Sequence, residues 1–189
     1  AWEINRTFSV NELLQRNGIS FQENISFAKK GYWRIGGLLR YLALPETVEQ
    51  LSIIQKEAER TLILGNGSNL LMADQGFSSV AIQLKGELAS IEEQGDRWIV
   101  GAGVRNVVLL NRLKKAERTG LGSLAGVPGL LGGAIRMNAG TYLGEVGERV
   151  EWVEWIDQAG EIQHWGREQL DFQYSRANLP WTAIITRVC

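Results

Sequence analysis

Residues 61–71, TLILGNGSNLL, restrict the fold more than any other stretch of the chain. A short apolar run that reads as a strand meets a glycine turn, and such turns often receive phosphate. In a dinucleotide-binding βαβ unit the turn opens a helix, and a third glycine or an alanine lets that helix pack on the strand. Gly65-x-Gly67 supplies the first two positions, but Leu70 stands at the third. Residues 70–76 then run into a second turn, not a helix, so no helix N-terminus is available for a pyrophosphate. No Lys-Ser/Thr pair follows the glycines, which excludes a Walker loop. A backbone nest fits better: successive N–H groups in a glycine-permitted turn can wrap an anion. Ser68 and Asn69 would add side-chain donors, and Gly65 and Gly67 lack the Cβ atoms that would block close approach. A tight turn with no ligand is the alternative.

The flanking pattern is mixed α and β. Ser9-Val-Asn-Glu12 reads as a capping box opening a short helix that Gly18 closes. Thr47-Val-Glu-Gln50 repeats the signature and opens a helix to about residue 59, with Val48, Leu51, Ile54, Gln55 and Ala58 inward. Strands are expected over 38–44, 61–64, 79–84 and 97–100, so 38–64 forms a strand–helix–strand unit. A second amphipathic helix is expected over 104–118, with Val104, Val107, Val108, Leu110 and Leu113 apolar. Residues 150–156 and 161–165 alternate around Asp157-Gln-Ala-Gly160 as a hairpin. Residues 182–188 are strand-like, and a chain stopping there suggests a piece of something longer. The expected organisation is a helical segment over 1–26, one subdomain over 27–85 and a second over 86–189.

A second glycine concentration lies at 124–144, LAGVPGLLGGAIRMNAGTYLG. Pro128 suits the first turn of a short helix, Gly132-Gly133 would let another group lie on the backbone, and Asn138-Ala-Gly140 supplies small turn formers. So much glycine is costly in chain entropy, and a flat ligand lying on the backbone would explain it. An irregular loop between strands is the alternative.

Composition narrows the function classes. Of 189 residues 22 are glycine, against about 7% ordinarily. The net charge of −1, with acids and bases interspersed, offers no footprint for nucleic acid or an anionic membrane. No apolar run approaches a bilayer span. The single cysteine, Cys189, permits no disulfide framework, so a cytoplasmic setting is expected. The single histidine, His164, leaves neither a histidine-rich metal centre nor a serine–histidine–acid triad in view. Glu92-Glu93 reads as a solvated turn, and Trp152, Trp155, Trp165 and Trp181 as a packing cluster.

LGNGSNLL together with AGVPGLLGGAIRMNAGTYLGE closely resembles the UDP-N-acetylenolpyruvoylglucosamine reductase family, flavoenzymes of peptidoglycan precursor synthesis. Trp33-Arg-Ile-Gly-Gly37, Tyr41 and Pro45 match its entry motif, and Leu170-Asp-Phe-Gln-Tyr174 follows the hairpin at the family's spacing. The resemblance covers about residues 27–188. It implies an α+β, two-subdomain FAD-binding fold of the vanillyl-alcohol-oxidase/PCMH type, not Rossmann. It further implies FAD reduced by NADPH and hydride passing to an enolpyruvyl group on a UDP-sugar. Implied cofactor contacts are Arg34; Gly65, Asn66, Gly67, Ser68, Asn69 and Leu70 around the pyrophosphate; and Gly126, Val127, Pro128, Gly129, Gly132, Gly133, Ala134, Met137, Asn138, Ala139 and Gly140 along the flavin. His164 lies outside both glycine blocks, so the FAD is expected to be non-covalent.

The chain departs from the family pattern at several points. The family's catalytic arginine directly follows the tyrosine, whereas this chain reads Tyr174-Ser175-Arg176. In an extended segment that shift would turn Arg176 to the other face, unless a bulge restored its aim. Tyr32, Leu38-Leu39, Ser79 and Gly122 also differ. The family's substrate domain, with its serine proton donor and late glutamate, would lie beyond residue 189. Tyr174 and Arg176 are therefore the catalytic candidates within the chain. A non-catalytic flavin- or nucleotide-binding module is the rival, and a fragment whose Tyr32 and Leu38 crowd out flavin is a third reading.

Overall fold

The computed structural model describes residues 9–189, so residues 1–8 of the expected N-terminal segment lie outside the described residues. Helix α1 (Val10–Arg16) opens with the full capping box: Glu12 N–H donates to Ser9 Oγ, and the Glu12 carboxylate accepts from Ser9 N–H. Gly18 and Ile19 close it by donating to Gln15 and Leu14 carbonyls at 3.1 and 2.9 Å. The helix stops there. Residues 21–26 form strand β1 (Phe21–Ser26), which the sequence reading did not expect, followed by one turn of helix, α2 (Phe27–Lys30).

The first sheet is built from β1, β2 (Leu38–Ala43), β3 (Thr61–Ile63) and β4 (Phe77–Ile82) in the order β1-β2-β4-β3. Helix α3 (Val48–Glu57) joins β2 to β3, as the strand–helix–strand reading requires, and β4 enters between them, parallel to both. Thr47 caps α3 by accepting from Gln50 N–H. The Gln50 side chain, however, accepts from Glu46 N–H, so only half of the expected capping box forms. No helix follows β3; the chain crosses 64–76 as turns and re-enters the sheet as β4. That connectivity is not Rossmann.

The second sheet is antiparallel, in the order β10-β9-β11-β6-β5. Its strands are β5 (Ile91–Gln94), β6 (Arg97–Gly101), β9 (Trp152–Ile156), β10 (Ile162–Gly166) and β11 (Ile184–Val188). Glu92 and Glu93 lie in β5, correcting the turn expected there; an edge strand keeps its exposed positions for charge, and Glu93 pairs with Arg112 at 2.8 Å. The 150–165 hairpin forms as expected. Helices α4 (Asn106–Lys115), α5 (Leu131–Arg136) and α6 (Arg167–Leu170), with the two-residue strands β7 (Gly140–Thr141) and β8 (Gly144–Glu145), complete this half.

α4 corrects a second expectation. Its buried face is Asn106 and Leu109, with Leu113 half-buried, while Val107 and Val108 point outward. Asn106 turns inward because its Nδ2 donates to the Val127 carbonyl at 3.3 Å. Of the tryptophan group, Trp155 and Trp165 stack edge to face at 5.2 Å, but Trp181 is 94% exposed and stands apart. His164 is exposed and lies against Trp152.

One core runs between the sheets, from Leu14, Leu51, Ile54 and Val80 to Leu109, Val153, Ile156 and Ile184. α3 spans it: Ser52 Oγ donates to the Gly160 carbonyl and Gln55 Nε2 to the Thr182 carbonyl. A smaller cluster of Phe27, Leu39, Leu42, Leu64, Met72 and Ala81 fills the other face of the first sheet. Among the described residues no helix is long and apolar enough to cross a membrane.

Glu154 is the buried acid of the second sheet. Burial alone would raise its carboxyl, but hydrogen bonds from Arg187 and Thr186 bring it below the usual carboxylate value. A depressed native value means stability that is present above the ordinary carboxylate range and lost as pH falls through the native one. Glu154→Gln is expected to cost about 1–2 kcal/mol at neutral pH and to flatten the acid limb of stability, read by urea denaturation from pH 7 to 3.

Candidate cofactor site

The first glycine turn leaves β3 with unengaged donors. Leu64 N–H is the last to bond the sheet, to the Ile82 carbonyl at 2.7 Å; the amides of residues 65–71 have no hydrogen-bond acceptor among the described residues. Gly67 has φ +67°, the left-handed member that a nest requires, and a Cβ there would lie 3.0 Å from the Phe27 ring. Gly65 has room for a Cβ, which would meet the Leu130 side chain at an ordinary contact distance of 3.6 Å. Asn66 and Asn69 are exposed, whereas Leu70 packs on the smaller apolar cluster.

The second glycine block comes to this turn from the other sheet. Ser68 Oγ donates to the Pro128 carbonyl at 3.4 Å and lies 3.2 Å from where a Gly129 Cβ would stand. Pro128 is not in the first turn of a helix, as expected; α5 begins three residues later. Gly129, at φ +123°, instead bends the chain so that its carbonyl accepts from Asn106 N–H and Leu130 bridges Arg105. The glycines then divide. Gly126 and Gly133 face open space, whereas a Cβ on Gly132 would stand 2.9 Å from that of Ala102, and one on Gly140 would strike the Gly144 carbonyl. Val127, Ala134 and Ala139 turn their side chains to the core, and Met137 is exposed.

Asn138 is fully committed to the protein. Only 3% exposed, it donates through Nδ2 to Glu145 Oε2 at 2.5 Å and to the Gln173 carbonyl at 3.0 Å, and Oδ1 accepts from Gly147 N–H at 3.0 Å. Its side chain thus holds loops together, and its N–H donates to the Ile135 carbonyl at 3.0 Å.

The Gln173 bond brings the catalytic candidates to the end of α5. Residues 173–176 are not extended: Gln173 and Arg176 exchange backbone hydrogen bonds around Tyr174 and Ser175, and Ser175 has φ +56°. This tight turn, not a one-residue slip along a strand, decides where Arg176 goes. Tyr174 is 89% exposed and Arg176 is exposed. Ala177 N–H donates to the Arg136 carbonyl, and the Arg136 guanidinium holds the Leu179, Pro180 and Ala183 carbonyls. No ion pair among the described residues engages it, and burial pushes that guanidinium below its ordinary value. Arg34, in a left-handed turn at φ +58°, is exposed beside Gly31, which abuts Gly67.

Comparison with known proteins bears on what such a cradle holds. The FAD binding domain family matches residues 39–166. The chain belongs to that family. Among curated relatives of this FAD-binding domain, the UDP-N-acetylenolpyruvoylglucosamine reductase of Gluconobacter oxydans is 32% identical over 167 residues, covering 87% of this chain and 55% of the relative. The enzyme of the same name from Clostridioides difficile is 38% identical over 149 residues, covering 77% and 49%. The chain spans about half the length of these relatives. The solved UDP-N-acetylenolpyruvylglucosamine reductase of Thermus caldophilus superposes with a TM-score of 0.78 at 34% identity, over 90% of this chain and 60% of that one. Glucooligosaccharide oxidase of Acremonium strictum, at 15% identity and a TM-score of 0.68, shares the fold. The α+β, PCMH-type architecture is thereby established.

The FAD-binding domain's own residues fit a dinucleotide: amides over 65–71 with no acceptor among the described residues, open backbone at Gly126 and Gly133, and a bridge between the two blocks at Ser68. Sequence reasoning missed Asn106, which fixes the Val127–Gly129 bend, and Gln83, whose Nε2 donates to the Gly65 carbonyl at 3.1 Å. It also missed Lys30, which lines a cavity with Phe27, Leu64, Gly65, Asn66 and Gln83. None of the three lies in a glycine block; only their placement in the fold marks them.

Proposed function

We propose that this chain is the FAD-binding portion of an NADPH-dependent reductase that converts UDP-N-acetylglucosamine enolpyruvate to UDP-N-acetylmuramate in the cytoplasm. One observation carries the reading: two glycine blocks about sixty residues apart meet at Ser68 and Pro128, leaving free amides and Cβ-free backbone on the same junction. In this reading the two sheets belong to the two subdomains that flank the cofactor. FAD, when bound, supplies the electron transfer from NADPH to the enolpyruvyl double bond. The chain's residues bind and orient it: 65–69 wrap the diphosphate, Gly126 to Gly133 carry the flavin half on bare backbone, and Arg34 approaches from the entry turn. Binding is non-covalent, because His164 lies on β10, outside both blocks. Tyr174 and Arg176 are the groups offered toward substrate, with Arg176 the positive charge for a developing enolate. Such a charge is worth several kcal/mol where water is excluded.

A second reading, a non-catalytic flavin- or nucleotide-binding module, is favoured by the tight turn at Ser175, which leaves Arg176 exposed. Absorbance separates the two. The reductase reading expects a yellow protein with a structured bound-flavin spectrum that NADPH bleaches anaerobically. A colourless protein that ignores added FAD contradicts both readings. A bound flavin that NADPH fails to bleach, in this chain and in one extended to the relatives' full length, leaves the module.

A further inference from the structure

α2 delivers Lys30 to the rim of the cavity it shares with Phe27, Leu64, Gly65, Asn66 and Gln83. One wall of that cavity is the backbone of the first glycine turn, anchored where Gln83 holds the Gly65 carbonyl. The Gly65 and Asn66 amides have no hydrogen-bond acceptor among the described residues. A second ammonium lies nearby. Desolvation first, and then the charge of Lys85, hold Lys30 below the ordinary lysine value. The ion pairs among the described residues use neither lysine. The nearest acid in sequence to Lys85, Glu87, already accepts from Val48 N–H at 2.9 Å. Lys30 and the Gly65 and Asn66 backbone therefore share one cavity, and no ion pair among the described residues engages Lys30. A multiply charged oxyanion in that cavity would pair with the ammonium while accepting from the amides.

We propose that Lys30 is a diphosphate-binding residue of this turn and makes the chain selective for dinucleotides over uncharged flavin. Lysine acts here as a point charge reaching a phosphate whose orientation the backbone amides fix. Naming the ligand as FAD rests on the function proposed above; the diphosphate contact itself does not. The glycine turn alone would bind FAD through neutral donors, so the lysine contribution is the part that salt removes.

The test uses wild type, Lys30→Gln and, as control, Lys29→Gln, an exposed neighbour that does not line the cavity. Each is titrated with FAD, riboflavin and inorganic pyrophosphate by calorimetry at low and high salt. Lys30→Gln is expected to weaken FAD and pyrophosphate about tenfold at low salt, to narrow the gap at high salt, and to leave riboflavin unchanged. Lys29→Gln is expected to match wild type. FAD binding by wild type that Lys30→Gln leaves unaltered at both salts, for FAD and pyrophosphate alike, overturns the lysine contact and spares the flavin reading. Pyrophosphate binding that depends on Lys30, in a chain that ignores FAD, overturns the flavin reading and supports the anion site. Failure to bind either ligand overturns both.

Discussion

Asn138→Ala is expected to lower the stability of the folded chain by about 3 kcal/mol and to loosen the turn that carries Tyr174 and Arg176. Three hydrogen bonds converge on this side chain, one of them from the buried Gly147 N–H. Truncation strands that donor away from water, a loss of about 1–3 kcal/mol by itself. The backbone adds to the penalty, because Asn138 has φ +44° and alanine tolerates the left-handed region less well than asparagine. The effect should also be spatially specific. Gln173 loses the donor that ties it to α5, so trypsin should cut after Arg176 faster than in wild type at equal global stability. Asn138→Asp keeps the acceptor for Gly147 and loses the donors, so it should fall between the two. Urea denaturation gives the first number and limited proteolysis the second. A loss under about 1 kcal/mol with unchanged cleavage would mean that the side chain is not the hub described.

Gly65→Val and Gly132→Val should fail in opposite ways, although both positions read from sequence as cofactor glycines. A Cβ on Gly65 would meet only the Leu130 side chain, at an ordinary contact distance of 3.6 Å. The fold should therefore tolerate it, while the valine occupies the ground where a diphosphate would lie. FAD affinity is expected to fall about 100-fold, equivalent to about 2.7 kcal/mol, with thermal stability close to wild type. Gly132 is pressed on Ala102, a Cβ there standing 2.9 Å from the Ala102 Cβ. Valine must push α5 off β6, at a cost of about 1–3 kcal/mol, and any loss of FAD should track that loss of fold. Thermal denaturation and flavin titration on the same preparations separate the two. Equal loss of stability in both variants would show that Gly65 too is a packing glycine.

The contrast shows what the sequence could and could not carry. Glycine density marked the right segments, because bare backbone is needed both where a ligand lies close and where chain packs on chain. Deciding between those uses requires knowing what stands opposite, and for Gly132 and Gly133, adjacent in sequence, the answers differ. Strands were legible where an apolar pattern reports burial, as in β2, β9 and the central strand β11. They were illegible at two of the sheet edges: β1 carries Gln22, Glu23 and Asn24, and β5 carries Glu92 and Glu93, because such an edge strand is kept polar against pairing with other chains. On α4 the apolar stripe misled, since a buried hydrogen bond from Asn106 outweighed the outward Val107 and Val108. The exclusion of a dinucleotide βαβ unit was sound, for Leu70 packs on the smaller apolar cluster and no helix follows β3. The Ser175 turn was not legible, because a left-handed residue other than glycine or asparagine gives little local warning.

The claim on which the rest depends is that the two glycine blocks form one cradle for one dinucleotide. Backbone amide NMR of the labelled chain during FAD titration tests it most directly. The account predicts that amides over 65–69 and those of Gly126, Gly129 and Gly133 shift together, saturating at one FAD per chain, while those of the 158–162 hairpin tip stay still. Shifts confined to one block, or saturating at different FAD concentrations in the two, would contradict it.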